Sequence, residues 1–363
     1  MKAGIRNARR HEAGVSLIEL MVALVLGLIV AGSALTLVLT NRQTFAATED
    51  MGRVQEGVRL AFELLNRELR GAGGNPCDGS LDVYNGLRNP GAAWYTNWSN
   101  VQGAPPGTAV ETGPALLGYG GGTAFPDAAF GTAEGSRIAG TDAIEVKAAV
   151  PLSADVAMLT TGIASPFDAD IEVSSTEGIE AGDLLMICNF VNASVFRVTA
   201  VNAATDTIEH AEGAGASDNL VAMLPLWTTG VPTSRYWFNE GSVVSRVHAA
   251  RWFIGANGVD TDADGVADGR SLYRTSLVNN GGALGVSTDE IAQGVTDMQV
   301  SYLVAGAVSY VDASAVANFG DGSNPIVGVR LQLTLSGDDR IGPNGERLAR
   351  TMTHTVAIRG RAE

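Results

Sequence analysis

Lysine is almost absent: Lys2 and Lys147 are the only two among 24 basic side chains. Neither sits in a Gly-Lys-Ser/Thr setting, which excludes a Walker-type phosphate loop. Charge is sparse too. Only 17% of residues are Asp, Glu, Lys or Arg, too few for a coiled coil or a charged helical bundle. The balance is acidic, at −15, and phosphate binding needs the opposite sign, so direct nucleic-acid contact is disfavoured. The two cysteines, Cys77 and Cys188, lie too far apart for a CxxC redox or zinc motif. The four histidines (His11, His210, His248 and His354) form no HExxH, and neither GxSxG nor GxGxxG occurs. No catalytic kit is legible, so the chain reads as a non-enzyme without a required cofactor. Proline is missing before Pro76, which leaves the N-terminal stretch free to form one long helix.

What is abundant is glycine, 45 of 363 residues, beside a hydrophobic fraction of 45%. That mixture predicts many short strands joined by tight turns around a sizeable core. The length fits one large domain or two modest ones.

The first segment carries the strongest signal. In residues 1–14, Lys2, Arg6, Arg9 and Arg10 outweigh Glu12 to give +3, leaving −18 on the rest. From Leu20 to Leu39 no charge occurs, and such a run crosses ~30 Å of hydrocarbon as a helix. Basic residues ahead of it keep the leader cytoplasmic and send the C-terminal bulk across the membrane. Glu19 is out of place in a signal peptide or a simple anchor, since a carboxylate in an apolar segment costs about 2.5–3.5 kcal/mol. It gains a purpose if the chain is cut between Gly14 and Val15. The new α-amine of Val15 on one subunit can then pair with Glu19 of a neighbour, offsetting both buried charges and fixing the stagger between subunits. The string Gly14-Val15-Ser16-Leu17-Ile18-Glu19-Leu20-Met21 resembles the type IV prepilin leader-peptidase site, with Val15 in place of the usual Phe. That resemblance implies cleavage after Gly14 and N-methylation of Val15 by a prepilin peptidase.

The helix is expected to continue past the membrane. Met51, Val54, Val58, Ala61, Leu65 and Leu69 recur at spacings of three and four, one face of an amphipathic helix. Gly71-Ala72-Gly73-Gly74-Asn75-Pro76 is its stop. The expected organisation is a leader (1–14), a transmembrane or fibre-core half-helix (15–40), an amphipathic half-helix (41–71), a Gly/Pro-rich connection (72–140) and a β-rich domain (141–363). Trp94 and Trp98 in the connection read as loop anchors. Period-two alternation starts at Asp142, with Ile144, Val146, Ala148 and Val150 opposite Glu145 and Lys147. Asp183–Val191 with Ser194–Asn202 reads as a hairpin. Tyr236–Phe238, Val243–Ile254, Ser271–Val278, Met298–Val304, Val327–Leu335 and Met352–Ile358 read as further strands, with His354 a packed strand residue. The fold class is α+β: a long N-terminal helix packed on a mostly antiparallel sheet.

Further blocks extend the resemblance. Asn41-Arg42-Gln43-Thr44-Phe45, Glu56-Gly57-Val58-Arg59-Leu60-Ala61-Phe62, Asn66-Arg67-Glu68-Leu69-Arg70, Gly182-Asp183-Leu184-Leu185, Ser271-Leu272-Tyr273-Arg274, Glu290 through Val300 and Thr355-Val356-Ala357-Ile358-Arg359 resemble the PilW family of type IV pilus minor pilins. Residues 84–135 and 255–270 carry little or no resemblance. The family implies a low-abundance subunit that helps initiate pilus assembly within a tip complex, in support of twitching motility, attachment or DNA uptake. Its implied partners are other minor and major pilins, the prepilin peptidase and the inner-membrane assembly platform. Its implied location is the inner membrane as a single-pass protein with a periplasmic C-terminus, and the extracellular fibre after assembly. A type II secretion pseudopilin shares the leader chemistry. A membrane-anchored adhesin contacting its ligand through residues 77–140 is a third reading.

Two local features remain. An exported location permits a Cys77–Cys188 disulfide between the helix end and the sheet. Asp260, Asp262, Asp264 and Asp268, with Gly265 at the turn, follow the spacing of a calcium loop, although position twelve is Ser271. The plain alternative is a solvated acidic turn between two strands. Ca²⁺ bound there would be structural.

Overall fold

The computed structural model describes residues 16–79, 81–98, 113–152, 158–162, 170–222, 224, 238–261, 264–320, 325–337, 347 and 349–359. The N-terminal run is one helix, α1, Leu17–Arg70. Its 54 residues span ~81 Å at 1.5 Å each. It ends where the glycine-rich stop begins. Gly73 adopts φ +72°, a left-handed conformation that glycine enters without a Cβ penalty, and its N–H donates to Lys147 O at 2.9 Å. The stop thus turns the chain off the helix and ties it to the sheet.

Among the described residues, twelve strands form the larger sheet: β1 (Asp82–Asn85), β2 (Leu116–Tyr119), β3 (Ala143–Pro151), β4 (Met158–Gly162), β5 (Asp170–Val173), β6 (Leu184–Cys188), β7 (Asn192–Arg197), β8 (Ala200–Asn202), β9 (Thr207–Glu209), β10 (Val243–Ala256), β11 (Arg270–Asn280) and β12 (Ala283–Gln293). Four more form a second sheet: β13 (Val295–Val304), β14 (Val311–Asp312), β15 (Ile326–Ser336) and β16 (Ala349–Ala357), in the order β14-β13-β15-β16. β10 organises the larger sheet. It pairs along one flank with β3 and, at its two ends, with β6 and β11. Pairing is antiparallel except for β1 on β7.

The helix seals the gap between the sheets. Val58, Ala61, Leu65 and Leu69 are fully buried against Trp252, Tyr302, Met298 and Leu331 in the largest core cluster. Burying each such aliphatic side chain contributes about 1.5–3 kcal/mol. Met51, on the same stripe, is half-buried, and the Val54 side chain lies outside the described residues. The long helix on mostly antiparallel sheet is the α+β arrangement expected.

The strands differ from the sequence reading in four places. Ser194–Asn202 is not one strand. It breaks after Arg197, because Thr199 N–H turns to Glu209 O at 2.8 Å and β8 joins β9 instead of β6. β12 has no counterpart in the periodicity, since it is exposed on both faces for most of its length. On β3 the expected polar side is no solvated face: Glu145 and Lys147 are 3% and 1% exposed. In the expected strand Tyr236–Phe238, residues 236 and 237 lie outside the described residues, and Phe238 is buried outside any strand.

Candidate functional site

The first half of α1 is built for an apolar environment, and nothing among the described residues buries it. Leu17–Arg42 is a 26-residue span long and apolar enough to cross a membrane, with none of it buried inside the protein. Its length of ~39 Å exceeds the ~30 Å of bilayer hydrocarbon. The hydroxyls in this span are satisfied within the helix. Ser33 Oγ donates to Ile29 O at 2.8 Å, Thr36 Oγ1 to Gly32 O at 2.6 Å and Thr40 Oγ1 to Thr36 O at 2.9 Å. They therefore enter lipid, or a fibre core, without an unpaired donor. Glu19 is the one acidic residue of the first turn, and it is exposed. The positive end of the helix dipole favours a carboxylate there. Gly14 and Val15 lie outside the described residues. Ser16, in extended conformation, is the N-cap, and its carbonyl accepts Leu20 N–H at 3.0 Å.

At the other end, α1 is keyed to the sheet by a carboxylate. Glu68 lies on the buried face beside Leu65 and Leu69 and is 7% exposed. Trp252 Nε1 donates to its Oε2 at 2.6 Å, while Arg274 Nη2 and His248 Nε2 stand 2.7 and 3.2 Å from its Oε1. Burial pushes the Glu68 carboxyl up, but the pull of His248, Arg274 and Trp252 outweighs it and holds the group below the ordinary carboxylate value. The sequence signal was a lone carboxylate on an otherwise apolar stripe. Its partners, from β10 and β11, were not legible.

Just past the helix, Cys77 and Cys188 form a disulfide, with Cα atoms 6.1 Å apart. It links the helix exit to β6. Both sulfurs sit in the second core cluster with Leu81, Trp98 and Met186. Trp98 is 1% exposed and does anchor its loop, as expected; Trp94 is half-buried, with the Arg251 guanidinium 4.3 Å above its ring.

A second buried charge cluster joins β3 to β10. Glu145 Oε2 accepts from Arg251 Nε at 2.8 Å and from the Tyr119 hydroxyl at 3.1 Å, and its Oε1 pairs with Lys147. Arg251 Nη1 continues to Asp127 at 2.6 Å. Full burial draws the Lys147 ammonium down, against the opposing attraction of Glu145. Each ion has an opposite charge in contact, the condition under which charges persist in a core.

The DxDxDG loop spans the turn from β10 to β11. Gly265 N–H donates to Asp260 Oδ2 at 2.7 Å, Val266 N–H to Asp264 Oδ1 at 2.8 Å and Thr261 N–H to Asp268 Oδ1 at 2.9 Å. The Thr261 hydroxyl also bonds Asp268, and these bonds hold its carboxyl below the usual range. Asp262 lies outside the described residues. Among the described residues, no group of three or more His, Cys, Asp or Glu is arranged to hold a metal. The carboxylates that are described serve the loop's own turn.

A long helix, apolar and unburied in its first half and docked on a β domain by its second, is consistent with a membrane-anchored, pilin-like subunit. The prokaryotic N-terminal methylation motif matches residues 9–35. The match covers the end of the basic leader from Arg9, the Gly14-Val15 junction, Glu19 and the apolar helix as far as Leu35. Motif, helix and disulfide together support a type IV pilin-like protein that acts in pilus or secretion assembly. Such a motif implies processing by a prepilin peptidase and assembly with other pilins, a structural role and not an enzymatic one. No curated protein matches the chain.

Proposed function

We propose that the chain is a minor pilin that enters type IV pili and helps initiate their assembly as part of a tip complex. The observation that carries this reading is the unburied apolar span Leu17–Arg42, with Glu19 in its first turn and the methylation motif across its start. Val15 becomes the mature, N-methylated terminus. Its amine pairs with Glu19 of an adjacent subunit while the apolar half-helix passes from lipid into the fibre core. The blocks that resemble PilW favour a pilus over a secretion pseudopilin.

Mass spectrometry of the N-terminus tests the reading, on protein from membranes and from sheared surface fibres. A methylated peptide starting at Val15 in both fractions is the expected result. A start near Ala34, or an intact Met1, overturns it. Deleting the gene separates the two assembly systems: lost twitching supports the pilus, and lost protein secretion with intact twitching supports the pseudopilin.

A further inference from the structure

Beside the charge cluster of β3 and β10 lies a pocket of 580 Å³, a volume in the range of small-molecule sites. None of its lining comes from α1, so the inference stands apart from the assembly reading. Its polar floor is Glu145, Lys147 and Arg251, all three buried. Its walls are Trp94 and Tyr95 on one loop, with Leu117, Pro126 and Val286 from other parts of the chain. The Trp94 and Tyr95 rings meet edge to face, at 81° with centroids 5.6 Å apart. Their loop is pinned: the Thr96 hydroxyl donates to Pro90 O at 2.8 Å, and Asn85 Nδ2 donates to Thr96 O at 2.7 Å. The Arg251 guanidinium is held 4.3 Å from the Trp94 ring and 4.5 Å from the Phe125 ring. The pocket is therefore set before any ligand arrives, and binding there has little left to order.

The polar groups left unused in the pocket define what it can take. Arg251 Nε and Nη1 are occupied by Glu145 and Asp127, but among the described residues its Nη2 donates to nothing. Asp127 gives Oδ1 to Arg251, its Oδ2 accepts nothing among those residues, and the side chain is 53% exposed. Asn97, also in the lining, has a buried Oδ1 that meets no donor among them. The charges cancel, Lys147 and Arg251 against Glu145 and Asp127. An anionic ligand finds each cation already paired. A quaternary ammonium, the usual guest of aromatic walls beside a carboxylate, is repelled by Arg251, whose own cation already lies against Trp94. A wholly apolar ligand buries Nη2 and Oδ2 unpaired, which is costly. An uncharged sugar ring satisfies all of these groups. Its hydroxyls both donate and accept, and its C–H faces pack on aromatic and aliphatic walls.

We propose that this pocket binds an uncharged saccharide, the terminal part of a neutral glycan. Arg251 Nη2 donates to one hydroxyl and Asp127 Oδ2 accepts from another, the two side chains being joined at 2.6 Å, while Trp94 and Tyr95 pack on ring carbons.

Saturation-transfer NMR tests this on the full chain, in a detergent with neither a sugar nor a choline head group. The probes are maltose, cellobiose, lactose and diacetylchitobiose, with glucuronic acid and choline as charged comparisons. At least one disaccharide is expected to half-saturate the chain below about 10 mM, and both charged probes to bind about tenfold more weakly or worse. No saturation by any of these disaccharides in that range overturns the proposal, and so does tighter binding of either charged probe. Asp127→Ala removes the acceptor from a half-exposed side chain and is expected to weaken binding about tenfold. Val286→Trp adds bulk at an exposed position of the wall and is expected to abolish binding, while Val266→Trp, exposed and outside the lining, leaves it unchanged. Wild-type affinity in Val286→Trp overturns the proposal. If Asp127→Ala unfolds, Val286→Trp decides. Binding is read on the isolated chain, so its failure leaves the minor-pilin reading standing.

Discussion

Glu68→Gln is the sharpest single perturbation of the helix–sheet junction. The substitution keeps the shape and removes the charge. Arg274 and Trp252 Nε1 then compete for a single amide oxygen, because the NH2 that replaces the other carboxylate oxygen donates and cannot accept, and His248 faces a neutral group. Removing one partner of a buried pair costs about 3–5 kcal/mol. The Arg274 side chain is 21% exposed, so water compensates part of its loss, and the expected cost is about 2–3 kcal/mol at pH 7. The pH dependence follows from the direction of the shift. Glu68 is held below the ordinary carboxylate value when folded, so its contribution is present above that value and is lost as pH falls through the lower, folded one. His248, Arg274 and Trp252 are the polar groups facing it. Urea titration of the full chain in detergent, for wild type and variant at several pH values, reads the difference. The two curves should lie 2–3 kcal/mol apart near neutrality, by the same estimate, and converge in acid. A gap below about 1 kcal/mol at pH 7, the range of an exposed pair, refutes the buried-pair argument, as does a gap that persists undiminished in acid.

Other consequences can be measured on the same preparation. Cys77→Ser opens a crosslink with a sequence separation of 111 and should lower stability by about 4–5 kcal/mol; a loss under 1 kcal/mol would mean that the tie is idle. Leu65→Ala empties a fully buried position between helix and sheets and should cost about 2–5 kcal/mol in the same titration. Gly118→Ala places a methyl 2.2 Å from the hydroxyl of Tyr302, which is itself fully buried, and overpacking of that kind costs about 1–3 kcal/mol; an unchanged midpoint would show that β2 shifts freely. Glu19→Ala should leave the unfolding midpoint within about 0.5 kcal/mol, since the side chain is exposed, and abolish incorporation into fibres.

Elements with a clean period were legible in advance. The stripe Val58, Ala61, Leu65, Leu69 announced the helix face, and Val329, Leu331, Leu333 announced β15, because one face of each is buried and the other is wet. β3 was placed correctly as a strand but its polar side was not understood. Period-two alternation reports polarity, not solvent, and Glu145 and Lys147 are kept inside by Arg251 and Tyr119 from elsewhere in the chain. β12 failed the test from the opposite side: a strand exposed on both faces has no apolar period to read. The acidic loop was legible as a turn: Asp260, Asp264 and Asp268 accept backbone N–H groups from the loop itself.

The position of Glu68 bears on how the two halves of α1 work together. Apolar ridges on a helix repeat almost every turn, so burial of Val58, Ala61, Leu65 and Leu69 alone tolerates a slip of one turn, about 5.4 Å along the axis, with modest loss. A buried carboxylate fixed by Arg274, His248 and Trp252 does not tolerate it, because the slip leaves four polar groups unpaired. Glu68 therefore sets both the height and the azimuth of the β domain on the helix. Since α1 is continuous from Leu17 to Arg70, it also sets where the domain stands relative to Glu19. If, as proposed, Glu19 sets the stagger of the subunit in an assembly, the β domain stands at a defined place only when that long lever is locked at its upper end. The buried ion pair at residue 68 and the Cys77–Cys188 tie just beyond it are the two features that lock it.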